Sequence, residues 1–197
     1  MQGFLIAFEG LDQSGKQTQA EGVRTDVVAR GRECRLFSFP DYTTAIGAEI
    51  GRALQGAREY SPDVMQLMYV ANRHERRADM VRLLEGGAVL VCDRYLASSI
   101  AYGEAQGLDA GWLADIQRFL PRPDLTILLD IAPETAVRRK AAGRDRYERD
   151  LQLLSRVRDS YRRQAGAPDW LRLDGERPRD EVSAEVLSAI ATRLGQR

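Results

Sequence analysis

The sequence has little of what disulfide scaffolds and metal centres require. It contains two cysteines, Cys34 and Cys92, and a single histidine, His74. Each cysteine lies in an apolar run that is typical of a strand, where free thiols usually pack, so we expect neither a disulfide nor a cysteine metal site. His74 lies among arginines on a polar helix face, and we assign it no catalytic role.

Long apolar runs and an excess of charge of one sign are also absent. No apolar run approaches the roughly 20 residues of a membrane span, and the first residues lack the layout of a signal peptide. The 29 basic and 29 acidic residues balance, so the overall charge does not indicate a nucleic acid or a membrane as partner. We therefore expect a cytoplasmic protein with one domain over residues 1–197, in which anion binding is local.

Short apolar runs alternate with longer segments of helical period, which is typical of an α/β protein. The runs cover residues 4–9, 34–39, 88–92, 125–131 and 170–173. This alternation predicts a five-stranded parallel sheet, and runs that are apolar throughout predict helices on both of its faces. Ligands of such folds bind at the carboxyl ends of the strands, where Gly10, Asp41 and Asp93 fall.

The segment after the first run has the spacing of a phosphate-binding loop. Gly10, Gly15 and Lys16 follow the Walker A pattern, in which successive backbone N–H groups surround a phosphate. A helix predicted over residues 15–30 places that anion at a helix N-terminus. A glycine-rich turn without a ligand is the alternative. The residues predicted to bind the nucleotide are Gly10, Leu11, Asp12, Gln13, Ser14, Gly15, Lys16, Gln17 and Thr18.

Gln17 departs from the Walker A pattern, because the residue after the lysine is normally Ser or Thr, whose hydroxyl binds Mg²⁺. Thr18 comes one position later, so its side chain is turned by about 100° around the helix. Thr18 therefore cannot simply take the place of the Ser or Thr of the pattern. Direct binding of the metal by Gln17 and a contact through water both remain open.

Asp93 and Arg94 follow the third run and would lie beside the loop. Asp93 would hold Mg²⁺, directly or through water, and Arg94 would hold a phosphate with its planar guanidinium group. A buried Asp–Arg ion pair without a ligand is the alternative. The position at a strand end next to the phosphate-binding loop favours the functional interpretation.

A long helix predicted over residues 63–85 carries Gln66, Tyr69 and Arg73 on one face. An amide, a flat ring and a guanidinium group can stack on a base and hydrogen-bond to its edge, although a plain surface contact is the alternative. Two further groups are candidates for the same cleft. One group consists of Ser98, Ser99 and Tyr102, which follow at helical spacing. The other consists of Phe39 and Tyr42. The alternative for Phe39 is packing in the core, and the alternative for Tyr42 is a position on the helix surface.

Residues 138–149 form the most basic segment, with Arg138, Arg139, Lys140, Arg144, Arg146 and Arg149. Such a run is usually a solvated helix face. The alternative is a short basic lid, over about residues 138–150, that covers a phosphate site.

Five motifs resemble those of the thymidylate kinase family, in the same order and over essentially the whole chain. They are residues 8–16, Phe39-Pro40, Ala71-Asn72-Arg73, Asp93-Arg94-Tyr95 and Asp145-Arg146-Tyr147-Glu148. The resemblance implies a P-loop nucleoside-monophosphate kinase that transfers the γ-phosphoryl group of ATP to dTMP. It also implies the products ADP and dTDP, a requirement for Mg²⁺, and a homodimer.

The resemblance assigns roles to individual residues. ATP would be held by the loop and by Arg138, and catalysis would depend on Lys16, Asp12 and Arg94. The metal ligands would be Asp93, Asp12 and Gln17. The residues implied for dTMP are Asp12, Phe39, Tyr42, Gln66, Tyr69, Arg73, Arg94, Ser98, Ser99, Tyr102, Asp145 and Tyr147.

The family places its catalytic arginine either in the P-loop or in the lid. Gln13 occupies the P-loop position, so the lid would supply it from Arg144, Arg146 or Arg149. Two other functions stay open at this point. One is a kinase of the same fold that acts on thymidine, dUMP, UMP or CMP, and the other is a non-catalytic nucleotide-binding protein, which Gln17 favours.

Overall fold

The computed structural model describes residues 2–139 and 150–195. Five strands form one all-parallel sheet in the order β2-β3-β1-β4-β5, which confirms the predicted sheet. The strands are β1 (Phe4–Glu9), β2 (Cys34–Ser38), β3 (Val89–Asp93), β4 (Leu125–Asp130) and β5 (Trp170–Asp174). Each lies within one residue of a predicted apolar run at either end.

Helices connect the strands. In the described ranges they are α1 (Lys16–Ala29), α2 (Ala45–Leu54), α3 (Pro62–Glu85), α4 (Leu96–Ala105), α5 (Ala110–Asp115), α6 (Pro133–Arg139), α7 (Leu151–Gln164) and α8 (Arg179–Gly195). The periodicity of the sequence does not predict α5, because six residues are too few to show a helical period. Asp109 caps the N-terminus of this helix: its carboxylate accepts a hydrogen bond from the N–H of Trp112 at 2.7 Å.

The side chains of β1 alternate between two cores, one on each face of the sheet. Phe4, Ile6 and Phe8 pack with α1 and α8, whereas Leu5 and Ala7 pack with α3 and α4. Every residue of β1 is buried, while β2 and β5, at the edges, are only partly covered. Helices therefore cover both faces, as the apolar runs predict.

The carboxyl ends of β1 and β3 form the place where a ligand can bind. Phe8 pairs with Asp93 across the two strands, so the loop after β1 starts beside the end of β3. The chain then continues into α1 on one face and into α4 on the other. Chain segments that diverge in this way open a crevice at the sheet edge.

Helix α7 is joined to the sheet through Asp130, the last residue of β4. Its carboxylate accepts hydrogen bonds from Arg158 at 2.6 Å and Arg162 at 2.9 Å, both on α7, and from Arg172 of β5 at 3.0 Å. The aspartate side chain is almost completely buried. These ion pairs hold α7 against the sheet, where it also packs on α4 through the side chain of Tyr161.

Both cysteines are free and buried, in agreement with the sequence-based expectation. Burial raises the pKa of the Cys34 thiol to about 11, so the reactive thiolate is scarce at neutral pH. Among residues 2–139 and 150–195, no helix combines the length and the apolar character that crossing a membrane requires.

Candidate active site

The loop between β1 and α1 has a backbone that favours glycine at two positions. Gly10 has a φ of 137° and Gly15 a φ of 96°, and a Cβ atom on Gly10 would lie 2.5 Å from the carbonyl oxygen of Leu129. Gly15 is the N-cap of α1, and no side chain from residues 2–139 or 150–195 caps this helix. The N–H groups of its first turn are therefore available to an anion.

Lys16 lies under this loop with its side chain almost completely buried. Its Nζ donates a hydrogen bond to the carbonyl oxygen of Leu11 at 2.7 Å and lies 3.9 Å from the carboxylate of Asp12. Burial, and then the nearby Arg94 guanidinium group, lower the pKa of Lys16 to about 8. The ammonium group is therefore held where an added anion would stabilise its charge.

A cleft in front of the loop, here called the loop cleft, contains the predicted metal ligands. It is lined by Asp12, Gln13, Gly15, Lys16, Gln17, Thr18 and Asp93. Within the described ranges, Oδ1 of Asp93 is buried and has no hydrogen-bond partner. Gln17 is exposed, and its side-chain amide donates to Glu21 at 3.1 Å. Asp93 therefore has a carboxylate oxygen free for a metal or its water, while the amide of Gln17 is bound along its own helix.

Arg94 reaches from the end of β3 toward the same loop. Its backbone has a φ of 62°, which is rare for a residue other than glycine. Its Nη2 donates to Oδ1 of Asp12 at 2.5 Å and to the hydroxyl of Tyr102 at 3.3 Å. Since Asp12 also lies near Lys16, its carboxylate stands between two cations.

A second cleft, here called the aromatic cleft, begins on the other side of Asp12. The lining residues are Asp12, Phe39, Pro40, Leu54, Gln66, Tyr69, Arg73, Arg94, Ser98, Ser99 and Tyr102. Nine residues that the sequence analysis connects with dTMP are thus brought together in one cleft.

The far end of the aromatic cleft carries polar atoms that lack a partner. Gln66 is fully buried, and within the described chain neither atom of its amide nor Nε of Arg73 has a hydrogen-bond partner. The other nitrogens of Arg73 donate to Oγ of Ser99 at 2.7 Å and to the carbonyl oxygen of Tyr95 at 2.6 Å. Its guanidinium carbon also lies 5.9 Å from the ring centre of Phe39.

The two serines of α4 support the cleft wall through hydrogen bonds to other residues. The hydroxyl of Ser98 donates to the carboxylate of Glu9 at 2.6 Å, and that of Ser99 accepts from Arg73. Tyr102 lies one turn further along α4, with its ring centre 5.3 Å from the guanidinium carbon of Arg94. These side chains fix the two arginines of the cleft in place.

Tyr42 does not reach either cleft. Its side chain is 54% exposed and its ring lies over Gly51 of α2. The turn that directs it outward is held by Asn72, which accepts from the N–H of Asp41 at 2.7 Å and donates to Oγ1 of Thr44 at 2.8 Å. The structure therefore gives a supporting role to Asn72, which the sequence analysis left without one.

Arg139 approaches the loop, whereas Arg138 does not. Arg138 donates to Thr135 one turn back on α6. Arg139 donates to the carbonyl oxygens of Gln13 at 3.1 Å and Gly175 at 3.2 Å. A third cleft, the arginine cleft, lies there and is lined by Ser14, Gly15, Thr18, Gln19, Arg139, Gly175, Arg177, Arg179 and Val182.

Two buried residues that no sequence pattern singled out contact the site from outside the clefts. Glu9 precedes the loop, and Tyr161 lies in the middle of α7; both are almost completely buried. The hydroxyl of Tyr161 lies 2.8 Å from Oγ of Ser98 and 3.2 Å from Nη1 of Arg94. Nothing local in the sequence distinguishes Tyr161 from an ordinary core tyrosine.

Five predicted site residues lie outside the described ranges. They are Arg144, Asp145, Arg146, Tyr147 and Arg149.

A crevice with two clefts that meet at one carboxylate can bind a phosphate donor on one side and an acceptor on the other. Together with the glycine loop at the end of the central strand, this arrangement defines a kinase of the P-loop class that acts on a small molecule.

Comparison with known proteins identifies the family. The family model described as thymidylate kinase matches residues 8–186. The thymidylate kinase of Schizosaccharomyces pombe is 32% identical over 194 residues, covering 96% of this chain and 92% of that protein. The probable thymidylate kinase of Pyrococcus abyssi is 37% identical over 174 residues, with 82% of each chain covered.

A solved structure agrees with the sequence relatives. The structure of thymidylate kinase from Candida albicans matches with a TM-score of 0.88 at 30% identity, covering 100% of this chain and 94% of that chain. The chain therefore belongs to the thymidylate kinase family, which confirms the resemblance and the P-loop kinase fold. The family uses ATP as a co-substrate.

Binding of ATP near pH 8 should be accompanied by proton uptake at Lys16. In the protein without ATP, Lys16 has a pKa of about 8. The phosphates of ATP raise this pKa because they favour the charged form of the lysine. At pH 8 Lys16 is neutral in about half of the protein molecules without nucleotide, so about half a proton should be taken up per complex that forms. The affinity for ATP should therefore fall as the pH rises through this value. Isothermal titration calorimetry in two buffers with different ionisation heats measures the uptake.

Lys16→Arg provides the control for this experiment, because arginine keeps the charge but does not titrate in this range. The uptake at pH 8 should disappear in the variant. Equal uptake in both proteins would assign the proton to another group.

Proposed function

We propose that this protein transfers the γ-phosphoryl group of ATP to dTMP and releases ADP and dTDP. The observation that carries the proposal is the position of Asp12, between Lys16 of the loop cleft and Arg94 of the aromatic cleft. A donor phosphate at Lys16 and an acceptor phosphate at Arg94 would meet beside this carboxylate. Holding two reactants in line supplies much of the rate of such a transfer.

The polar atoms at the end of the aromatic cleft support a pyrimidine as the base of the acceptor. The amide of Gln66 offers one acceptor and one donor, and Nε of Arg73 offers a further donor. The N3–H and O4 groups of thymine match this set, and Tyr69 would stack on the ring. Leaving such groups buried without partners costs about 1–3 kcal/mol each, so a matching base is strongly preferred.

The sugar and the phosphate of dTMP would occupy the part of the cleft nearer the loop. Arg94 would bind the phosphate, Asp12 would face the sugar, and Phe39 and Tyr102 would form the walls. Ser98 and Ser99 would act mainly through Glu9 and Arg73, to which their hydroxyls are bonded. Tyr42, which the family resemblance connects with dTMP, is exposed and lies outside the cleft, so it has no role in this arrangement.

ATP would bind with its phosphates in the loop and its nucleoside in the arginine cleft. Arg139 takes the role that the sequence analysis gave to Arg138, because it is Arg139 that reaches Gln13 and Gly175. Together with Arg177 and Arg179 it lines the cleft, and guanidinium groups can stack on an aromatic base. Lys16 and the N–H groups of α1 would hold the outer phosphates.

The loop cleft fits a magnesium ion that is bound mainly through ATP. Among the described residues no group of three or more His, Cys, Asp or Glu side chains could hold a metal. Mg²⁺ with a nucleotide needs only one or two carboxylates, since phosphates and waters complete its coordination. Among the described residues, Oδ1 of Asp93 has no hydrogen-bond partner, and Asp12 lines the same cleft. When bound, the ion would neutralise charge on the phosphates.

The residues of the site would act by position and charge, without a covalent intermediate. Lys16 would hold the donor phosphates and Arg94 the acceptor phosphate while the phosphoryl group moves between them. Arg144, Arg146 and Arg149 remain candidates for the catalytic arginine of the lid. Asp145 and Tyr147 remain candidates for contacts to dTMP.

A panel of acceptors tests the proposed function against its alternatives. ADP release should be measured with ATP and Mg²⁺ against dTMP, dUMP, UMP, CMP, dGMP and thymidine. We expect dTMP to be clearly preferred, because it supplies a thymine, a deoxyribose and a phosphate. Preference for another pyrimidine would indicate a different kinase of the same fold. Binding of both nucleotides without ADP release would indicate a non-catalytic protein, with Gln17 as the suspected cause.

Arg94→Ala should lower kcat/KM for dTMP by about 100-fold, since two hydrogen bonds to a charged phosphate are lost. The KM for ATP should change little, because Lys16 and the loop hold the donor. Steady-state kinetics with each substrate varied in turn measures both effects. Arg30→Ala, at the exposed residue that caps the C-terminus of α1, is the control, since Arg30 pairs with Asp26 at 2.7 Å and with no other acidic side chain among the described residues. Equal losses for dTMP and ATP would contradict the role of Arg94.

We also propose that the protein is a homodimer in the cytoplasm. Val64 and Leu67 lie three residues apart on α3 and are 37% and 47% exposed, so they provide apolar surface for a second copy. Sedimentation velocity should give twice the mass of the chain, and Leu67→Lys should shift the protein toward monomers. A monomer at micromolar concentration would contradict this part of the proposal.

A further inference from the structure

Tyr161 lies outside the three clefts, yet its hydroxyl contacts Arg94. Its side chain is 1% exposed. Nη1 of Arg94 donates to the hydroxyl of Tyr161 at 3.2 Å and to Oγ of Ser98 at 3.2 Å. Nη1 is thus held by two hydroxyls from two different helices, while Nη2 is held by Asp12 and Tyr102.

The two hydroxyls are bound in turn to the buried carboxylate of Glu9. Its Oε2 accepts from Ser98 at 2.6 Å and from Tyr161 at 3.2 Å. Its Oε1 accepts from the backbone N–H groups of Tyr95 at 2.9 Å and Ser98 at 3.3 Å. Each hydroxyl has one proton: Ser98 donates its proton to Glu9, and Tyr161 donates either to Glu9 or to Oγ of Ser98, which lies 2.8 Å away. In both arrangements the two oxygens keep lone pairs that accept from Arg94.

Tyr161 provides an acceptor that does not cancel the charge of the arginine. Burial, and then the nearby Glu9 carboxylate, raise the pKa of Tyr161 well above its ordinary value, so the hydroxyl stays neutral at any working pH. Asp12, in contrast, is itself an anion and competes with a phosphate for Arg94. A neutral hydroxyl can hold the guanidinium group in place and leave its charge available to an anionic ligand.

The backbone of Arg94 gives a second reason to expect tight positioning. Its left-handed conformation persists only where the surrounding structure determines it, and such positions are frequent at functional sites. The N–H of Arg94 donates to the carbonyl oxygen of Phe8 at 2.9 Å. Both the backbone and the side chain of Arg94 are thus tied to the end of β1, the side chain through Ser98 and Tyr161.

We propose that Tyr161 is a positioning residue for phosphoryl transfer, whose hydroxyl, held by Glu9, fixes the guanidinium group of Arg94 where the acceptor phosphate binds. This role rests on the proposed function, in which Arg94 binds that phosphate. Small displacements of a binding group are costly in such reactions, where an error of about 1 Å can reduce the rate by about 100-fold.

Tyr161→Phe tests the proposal because it removes the hydroxyl and keeps the packing of the ring. We expect the affinity for dTMP, measured by isothermal titration calorimetry, to fall by about tenfold, since a charged hydrogen bond is lost while Ser98 remains. The affinity for ATP should not change. Thymidine lacks the phosphate, so it should bind the variant and the wild type equally.

Tyr95→Phe is the matched control, since it removes another fully buried tyrosine hydroxyl next to α4. Among the described residues this hydroxyl has no hydrogen-bond partner, so we expect the affinities for dTMP and ATP to stay unchanged. A double-mutant cycle then tests the path of the effect. In an Arg94→Ala background, Tyr161→Phe should leave dTMP binding unchanged, because the residue through which it acts is absent.

The outcomes separate this role from the proposed function. A wild-type protein that binds no dTMP would overturn the proposed function. If the wild type binds dTMP, two results would overturn the role of Tyr161 alone. One is a Tyr161→Phe variant with a lower melting temperature and unchanged dTMP affinity. The other is an equal loss of dTMP affinity with and without Arg94.

Discussion

The burial of one carboxylate, that of Glu9, is the constraint on which the arrangement of the site depends. A carboxylate removed from water is tolerated only where hydrogen-bond donors surround it. Glu9 obtains these donors from the first turn of α4 and from Tyr161 of α7. Since Glu9 is the last residue of β1, the same bonds orient both helices relative to the loop that begins at Gly10.

The two arginines of the aromatic cleft are buried in different ways, and each way suits a different ligand. Arg73 is bound by neutral oxygens of Ser99 and Tyr95, an arrangement that suits a neutral base. Arg94 is bound by a carboxylate as well as by hydroxyls, so an incoming phosphate has to compete with Asp12. The overall charge of zero gives no indication that the two arginines have such different partners.

Features that depend on chain neighbours were predictable from the sequence, while contacts between distant segments were not. Buried strands require apolar runs and the loop requires glycines, and both patterns can be read from neighbouring residues. The structure confirms the sheet that these runs predict. Tyr161 is 152 residues away from Glu9, and a tyrosine on an amphipathic helix carries no sign of such a partner. The side chains of Arg138 and Arg139 point about 100° apart around their helix. The sequence alone does not show which of the two faces the loop. The outward position of Tyr42 depends on the bonds between Asp41 and Asn72.

The position of Asp12 also has a thermodynamic consequence. Its carboxylate lies 2.5 Å from the guanidinium group of Arg94 and 3.9 Å from the ammonium group of Lys16, so an anion that binds either cation changes the field at the other. The affinities for the two nucleotides are therefore linked. By reciprocity, the factor by which one nucleotide alters the affinity for the second equals the factor by which the second alters the affinity for the first.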